Sequence, residues 1–181
     1  MKHPVRDAYA ELVRAGEVRC DAAQQRGAAA LDRLVQTLGN GSRRILGLFG
    51  KRQEALEGVY LWGPVGRGKT MLMGLGFNSI QVQPKRRVHF HAFMLETHQR
   101  LREARESETG DSVEAVAEQI ADEARLLAFD ELQVTNPADA MILSRLFGKL
   151  LERGVRVIAT SNRLSIMSMK GRKSSRLSPS L

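Results

Sequence analysis

The chain has 181 residues, a net charge of +8 and a single cysteine, Cys20. That length suits one domain with a proper core, since about 150 residues typically bury some two-thirds of their unfolded surface, and a second large domain is not expected. One cysteine excludes an internal disulfide framework and a cysteine-rich metal cluster; no apolar run approaches the ~18 residues of a membrane span, and Met1 to Asp7 lead into no signal-peptide core, so a cytoplasmic location is expected.

Residues 5–38 read as helical, with Leu12, Ala15, Leu31, Leu34, Val35 and Leu38 at spacings of three and four, in an N-terminal helical segment, 1–57, that packs on the core. Gly39 to Ser42 end it, and a basic turn with Arg43 and Arg44 and the apolar pieces Ile45-Leu46 and Leu48-Phe49 lead to the strand 58–62. A helix runs from about Lys69 to Ile80, although Gly74 and Gly76 each cost ~1 kcal/mol relative to alanine in a helix interior. Val88 to His91 form a second strand, Phe93 to Arg105 an amphipathic helix, and Ser107 to Asp111 a polar loop. Asp111 or Ser112 caps a helix over 113–122, followed by the apolar strand 125–129. Asn136-Pro137 starts a helix to about Arg153, and Gly154 introduces the strand 155–160. Strands alternating with helices predict an α/β fold, a parallel sheet covered on both faces with ligands at the C-terminal strand ends.

Residues Gly63-Pro64-Val65-Gly66-Arg67-Gly68-Lys69-Thr70 complete a G-x-x-x-x-G-K-[ST] loop between the first strand and its helix. Glycine backbones let successive N–H groups converge on phosphate oxygens at a helix N-terminus, Lys69 reaches the β/γ-phosphates, and the Thr70 hydroxyl ligates Mg²⁺. Leu126 to Phe129 followed by Asp130-Glu131 supply the complement: Asp130 holds Mg²⁺ through its water shell and Glu131 orients or deprotonates the attacking water. Asn162, after Ala159-Thr160-Ser161, is suited to hydrogen-bond the γ-phosphate or that water; the alternative is an Asn capping the next turn. His89 and His91 share a strand face, but two histidines without a third ligand favour packing or hydrogen bonding beneath the sheet edge over a metal site. Met71, Met73 and Met94 read as core.

An N-K-x-D guanine-reading motif and a Leu-Ser-Gly-Gly transporter signature are both absent, and small-molecule kinases usually lack the Asp-Glu pair. ATP hydrolysis coupled to mechanical work is the class left. Nucleic acid is not expected as a partner, because residues 163–181 carry five basic and no acidic side chains, leaving the body only +3, and no zinc finger, RNA-recognition signature or aromatic-interleaved basic stripe is present.

Leu61-Trp62-Gly63, Val65 to Thr70, His89-Phe90-His91-Ala92-Phe93-Met94, Phe129-Asp130-Glu131, Asp139-Ala140-Met141 and Ala159 to Asn162 together resemble the ZapE family of bacterial cell-division ATPases, which is similar to the mitochondrial Afg-one-like ATPases. The match runs in order from about residue 5 to Asn162. The resemblance implies a P-loop NTPase of AAA type that binds ATP and Mg²⁺, acts on the tubulin-like FtsZ polymer or another division client, associates peripherally with membrane and forms homo-oligomers; the mitochondrial relatives are linked to protein turnover. Three departures stand out. Leu132 and Asn136 replace an aromatic and a carboxylate, and Gly74 and Gly76 replace an acidic and an aromatic residue. After Asn162 the family's Gly-Leu-Gln-Arg block, fifth strand and helical lid give way to a Ser-rich basic stretch, so the last strand and lid are expected to be missing, residues 163–181 to be a disordered tail, and a frameshift or truncation near codon 163 to be its origin. An arginine finger supplied from that region is typically worth about 10³ to 10⁵ in rate, so Mg²⁺-ATP binding with impaired turnover is expected, and a non-catalytic nucleotide-binding fragment or a nucleic-acid-stimulated ATPase are the alternatives.

Overall fold

A computed structural model describes residues 2–40, 58–106, 110–162 and 175–176. The predicted apolar pieces at 45–49 and most of the predicted polar loop and basic tail lie outside these residues.

The N-terminal segment is two helices, α1 (Pro4–Arg14) and α2 (Ala22–Asn40), where one run over 5–38 is expected. The break has local causes. Gly16 turns to a positive φ of 76° just after α1, and the Asp21 carboxylate accepts from the amides of Ala23 (2.7 Å) and Gln24 (3.0 Å), starting α2 afresh. The Asp32 carboxylate, 1% exposed, pulls the two helices together by accepting from the Val5 amide at the start of α1 and from Arg6 Nε, both at 2.9 Å.

The core follows as β1 (Gly58–Trp62), α3 (Lys69–Ser79), β2 (Lys85–His89), α4 (Phe90–Glu106), α5 (Ser112–Glu123), β3 (Leu126–Asp130), α6 (Pro137–Glu152), β4 (Arg156–Ser161) and β5 (Ser175–Arg176). Asp111 and Asn136 cap α5 and α6 as expected, each accepting from the amide two residues on. The second strand is shifted: β2 ends at His89 and α4 begins at once, so His91 lies in a helix and the two histidines do not share a strand.

All strands run parallel in the order β2-β3-β4-β1-β5. The missing last strand is therefore corrected for two residues. Ser175 and Arg176 pair with Leu61 and Trp62, because β1 otherwise presents an unpaired backbone edge that any extended segment can satisfy.

Side-chain alternation sends neighbouring strand residues into two cores. Val59, Leu61, Leu126, Ala128 and Ile158 pack under α1, α2 and α3, while Leu127, Phe129, Val157 and Ala159 pack under α4, α5 and α6. Phe129 centres the second, meeting Phe93 edge-on at 4.7 Å between ring centroids and Phe147 at 5.6 Å. Gly76 is explained by packing in the first: a Cβ there would stand 2.7 Å from a Leu31 methyl, so the glycine lets α2 press against α3. Met73 and Met94 are buried and Met71 is partly so, as expected.

Candidate functional site

Three strand ends meet at the C-terminal edge of the sheet. β4 lies between β3 and β1, so the loop after β1, the Asp130-Glu131 pair at the end of β3 and Asn162 after β4 share one rim. The Gly63 amide donates to the Ser161 carbonyl (3.2 Å), fastening the root of the loop to the end of β4.

In the loop, Gly63, Gly66 and Gly68 have φ of 152°, 79° and 72°, all in the half of the map that L side chains avoid. Gly68 is doubly constrained: it is the left-handed N-cap of α3, and a Cβ would lie 2.9 Å from the Gln24 amide nitrogen. Pro64, Val65 and Gly66 form the exposed crest. Lys69 is buried, and its ammonium donates to the carbonyls of Gly63 (2.9 Å) and Pro64 (2.7 Å), folded over its own loop. Burial lowers its pKa from the ordinary lysine value, opposed by the nearby Glu131 carboxylate. Exchanging two neutral carbonyls for phosphate oxygens gives that ammonium charge-assisted partners of roughly twice the strength.

The loop is also braced from α2, which the sequence does not announce. Gln24 Nε2 donates to the Arg67 carbonyl (3.2 Å), and Arg67 Nη1 pairs with Asp21 at 3.3 Å. Asp21-Ala22-Ala23-Gln24 has the form of a capping box, which marks a helix start; it gives no sign that the Gln side chain turns to the loop.

At the carboxylate end, Asp130 is buried and Glu131 exposed. Glu131 has φ = 56°, a left-handed conformation costing on the order of 1–3 kcal/mol in a non-glycine residue. Buried Thr160 of β4 holds it there: its hydroxyl accepts the Glu131 amide (3.1 Å) and its carbonyl the Leu132 amide (2.7 Å). The chain thus leaves β3 so that Asp130 and Glu131 diverge, and the Glu131 charge is felt at Lys69. Asn162 is exposed at the same rim. Beside the pair opens a groove of 640 Å³ lined by His89, His91, His98 and Asp139, with His98 and Asp139 sharing a 2.9 Å hydrogen bond between α4 and α6. His89 and His91 face this groove and are exposed, where packing beneath the sheet edge is the expectation.

A residue at this end of the site that the sequence does not announce is Arg87. It donates from Nε to Asp130 Oδ2 (2.9 Å) and from Nη2 to Oδ1 (3.3 Å) across the β2–β3 ladder. It sits in the basic run Lys85-Arg86-Arg87, ahead of the strand expected over Val88 to His91; the available signal is its spacing of two from His89, which puts both on one face of an extended segment.

A parallel sheet in this order, with a phosphate loop leaving β1 and paired carboxylates ending β3, defines a P-loop ATPase fold of AAA type. The model of the AFG1-like ATPase family matches residues 4–171, past Asn162, and the chain belongs to that family. It is 36% identical over 168 residues to the cell division protein ZapE of Escherichia coli K12, covering 85% of this chain and 44% of that protein. It is 45% identical over 116 residues to lactation elevated protein 1 homolog B of Danio rerio, covering 59% of this chain and 23% of that one. The chain thus spans less than half the length of these relatives. Among solved structures it resembles the replication initiator DnaA bound to AMPPCP and single-stranded DNA, with a TM-score of 0.60 at 14% identity over 89% of this chain and 48% of that one. Among the described residues no helix is long and apolar enough to cross a membrane.

Proposed function

We propose that this chain binds ATP at Gly63 to Thr70 and hydrolyses it with Mg²⁺. The single observation that carries this is the shared rim, where a phosphate loop with a buried ammonium faces a strained glutamate whose charge acts on that ammonium. A threonine hydroxyl at the start of α3 and a carboxylate at the end of β3 are hard oxygen donors of the kind Mg²⁺ prefers, so Thr70 and Asp130 fit as its protein contacts. When bound, the ion neutralises charge on the phosphate oxygens. Lys69 and the loop amides hold the β- and γ-phosphates. Glu131 accepts a proton from the water that attacks the γ-phosphorus as the bond to the bridging oxygen breaks, and Asn162 hydrogen-bonds that phosphate or water. The products are ADP and inorganic phosphate.

The work served is a protein client, with FtsZ or other division machinery favoured by the likeness to ZapE, and turnover of membrane proteins as the related possibility. Homo-oligomers and peripheral membrane association belong to the same proposal. A non-catalytic nucleotide-binding role is the second reading, favoured by the Arg87–Asp130 pair, which engages the carboxylate assigned to the metal. ATP binding and hydrolysis measured side by side for wild type, Lys69→Ala and Glu131→Gln separate the readings. Loss of binding in Lys69→Ala, with binding kept and residual hydrolysis lost in Glu131→Gln, is expected. Binding with no hydrolysis in wild type selects the second reading, and equal ATP binding in all three rejects the site. Stimulation of hydrolysis by DNA or RNA points instead to a nucleic-acid-driven motor.

A further inference from the structure

The carboxylate assigned to Mg²⁺ already has a counter-charge. Asp130 is 8% exposed, and leaving such a group ionised without a partner is costly. Arg87 removes that cost with a two-pronged pair, one nitrogen to each oxygen, reaching from β2 along the ladder in which Arg87 is opposite Ala128 and His89 opposite Asp130. The third guanidinium nitrogen, Nη1, is turned toward α3: a Cβ on Gly74 would lie 3.8 Å from it, and apart from its chain neighbours and the backbone of its own helix no other heavy atom would come within 4 Å. Gly74 belongs to the helix that starts with Lys69 and Thr70. Arg87 therefore stands between the two elements that would share the metal.

We propose that Arg87 and Mg²⁺ are alternative partners of Asp130, so that loading Mg²⁺-ATP requires this ion pair to open. This rests on Asp130 as the metal's carboxylate. The guanidinium fork takes both oxygens at once and adds a positive charge at the place a divalent cation would approach, and the two cations repel. Arg87 is thus a positioning residue that keeps Asp130 compensated and oriented without metal and lowers the advantage of the metal complex over free ATP. Gly74 sets the balance. Without a side chain it offers Nη1 no competing acceptor, so the guanidinium stays committed to Asp130; a carboxylate at 74 would draw it away.

The test is the ATP dissociation constant of the full chain with excess Mg²⁺ and with EDTA, whose ratio gives the Mg²⁺ enhancement. Arg87→Met is expected to raise that ratio about tenfold over wild type, and Gly74→Asp to raise it severalfold while keeping the arginine. Asp130→Asn is expected to abolish the enhancement. A ratio unchanged or lowered in Gly74→Asp and in folded Arg87→Met, with Asp130→Asn still abolishing the effect, overturns the competition and leaves Asp130 as the metal's carboxylate. Enhancement that survives in Asp130→Asn removes Asp130 from the metal site, and the competition with it. Thermal unfolding shows which variants are folded; if Arg87→Met is not, Gly74→Asp decides.

Discussion

The two halves of the site are held by different kinds of force. The phosphate loop is set mainly by the backbone, through glycine conformations and a bond from Gly63 to β4, with one side-chain brace from Gln24 at the start of α2. The carboxylate end is set by side chains that meet only across the sheet, with Arg87 on Asp130 and Thr160 under Glu131, above a cluster of four phenylalanines. A backbone device tolerates its surroundings and travels as a motif. A side-chain device depends on register, so damage to the packing beneath should disturb the carboxylates before it disturbs the loop.

The strongest way to break this contrast is Phe129→Ala. It leaves a cavity between Phe93, Phe147 and the end of β3 and should cost about 3–5 kcal/mol in denaturant unfolding. Hydrolysis measured under conditions where the variant is still folded should fall more than ATP binding does. Equal losses would mean that the two halves share one support.

On the loop side, Asp32→Ala removes the acceptor of the Val5 amide and the partner of Arg6, at a cost of about 1–3 kcal/mol. It frees α1, whereas the brace on the loop comes from Asp21 and Gln24. ATP affinity should therefore change less than stability, as thermal unfolding and equilibrium binding would show.

A smaller effect sharpens the comparison through pH. Burial puts the folded-state pKa of Lys69 below 10.5, and the Glu131 carboxylate opposes that shift. Phosphate binding uses the charged ammonium, so affinity should decline as pH rises through the folded-state value, below the pH at which an ordinary lysine titrates. Glu131→Gln removes a raising influence, and the alkaline limb should move to lower pH. Because the unfolded chain holds this proton more tightly, Lys69 makes stability rise with pH over the interval between its folded value and 10.5. An alkaline limb in the same place in both proteins would show that the two side chains do not feel each other.

Much of this was legible in the sequence for the same reason that the loop is robust. Gly63 to Thr70 and the run Leu126 to Glu131 are local patterns, and every strand of the central four is present with ends moved by a few residues at most. The helix over 5–38 failed as a single element because Gly16 and Asp21 are weak signals against a spacing pattern that continues on both sides. His91 reads as part of a strand because no glycine or proline marks the change from β2 to α4. Arg87, Gln24 and Thr160 carry no local signal, because their partners lie far away in sequence and become neighbours only when the strand order is known. The pairing of Ser175 and Arg176 with β1 is of this kind too: nothing in a Ser-rich basic stretch announces a strand, and the open edge recruits it.

The central claim is that loop and carboxylate end form one ATP site. A double-mutant cycle on ATP affinity, with Lys69→Gln, Glu131→Gln and the combined variant, tests it most directly. Two residues that act on one bound nucleotide, and whose charges act on each other, should show a coupling energy of about 0.5–3 kcal/mol. Effects that add to within roughly 0.3 kcal/mol would contradict it, leaving a phosphate loop and a carboxylate pair that sit on one rim without sharing a ligand.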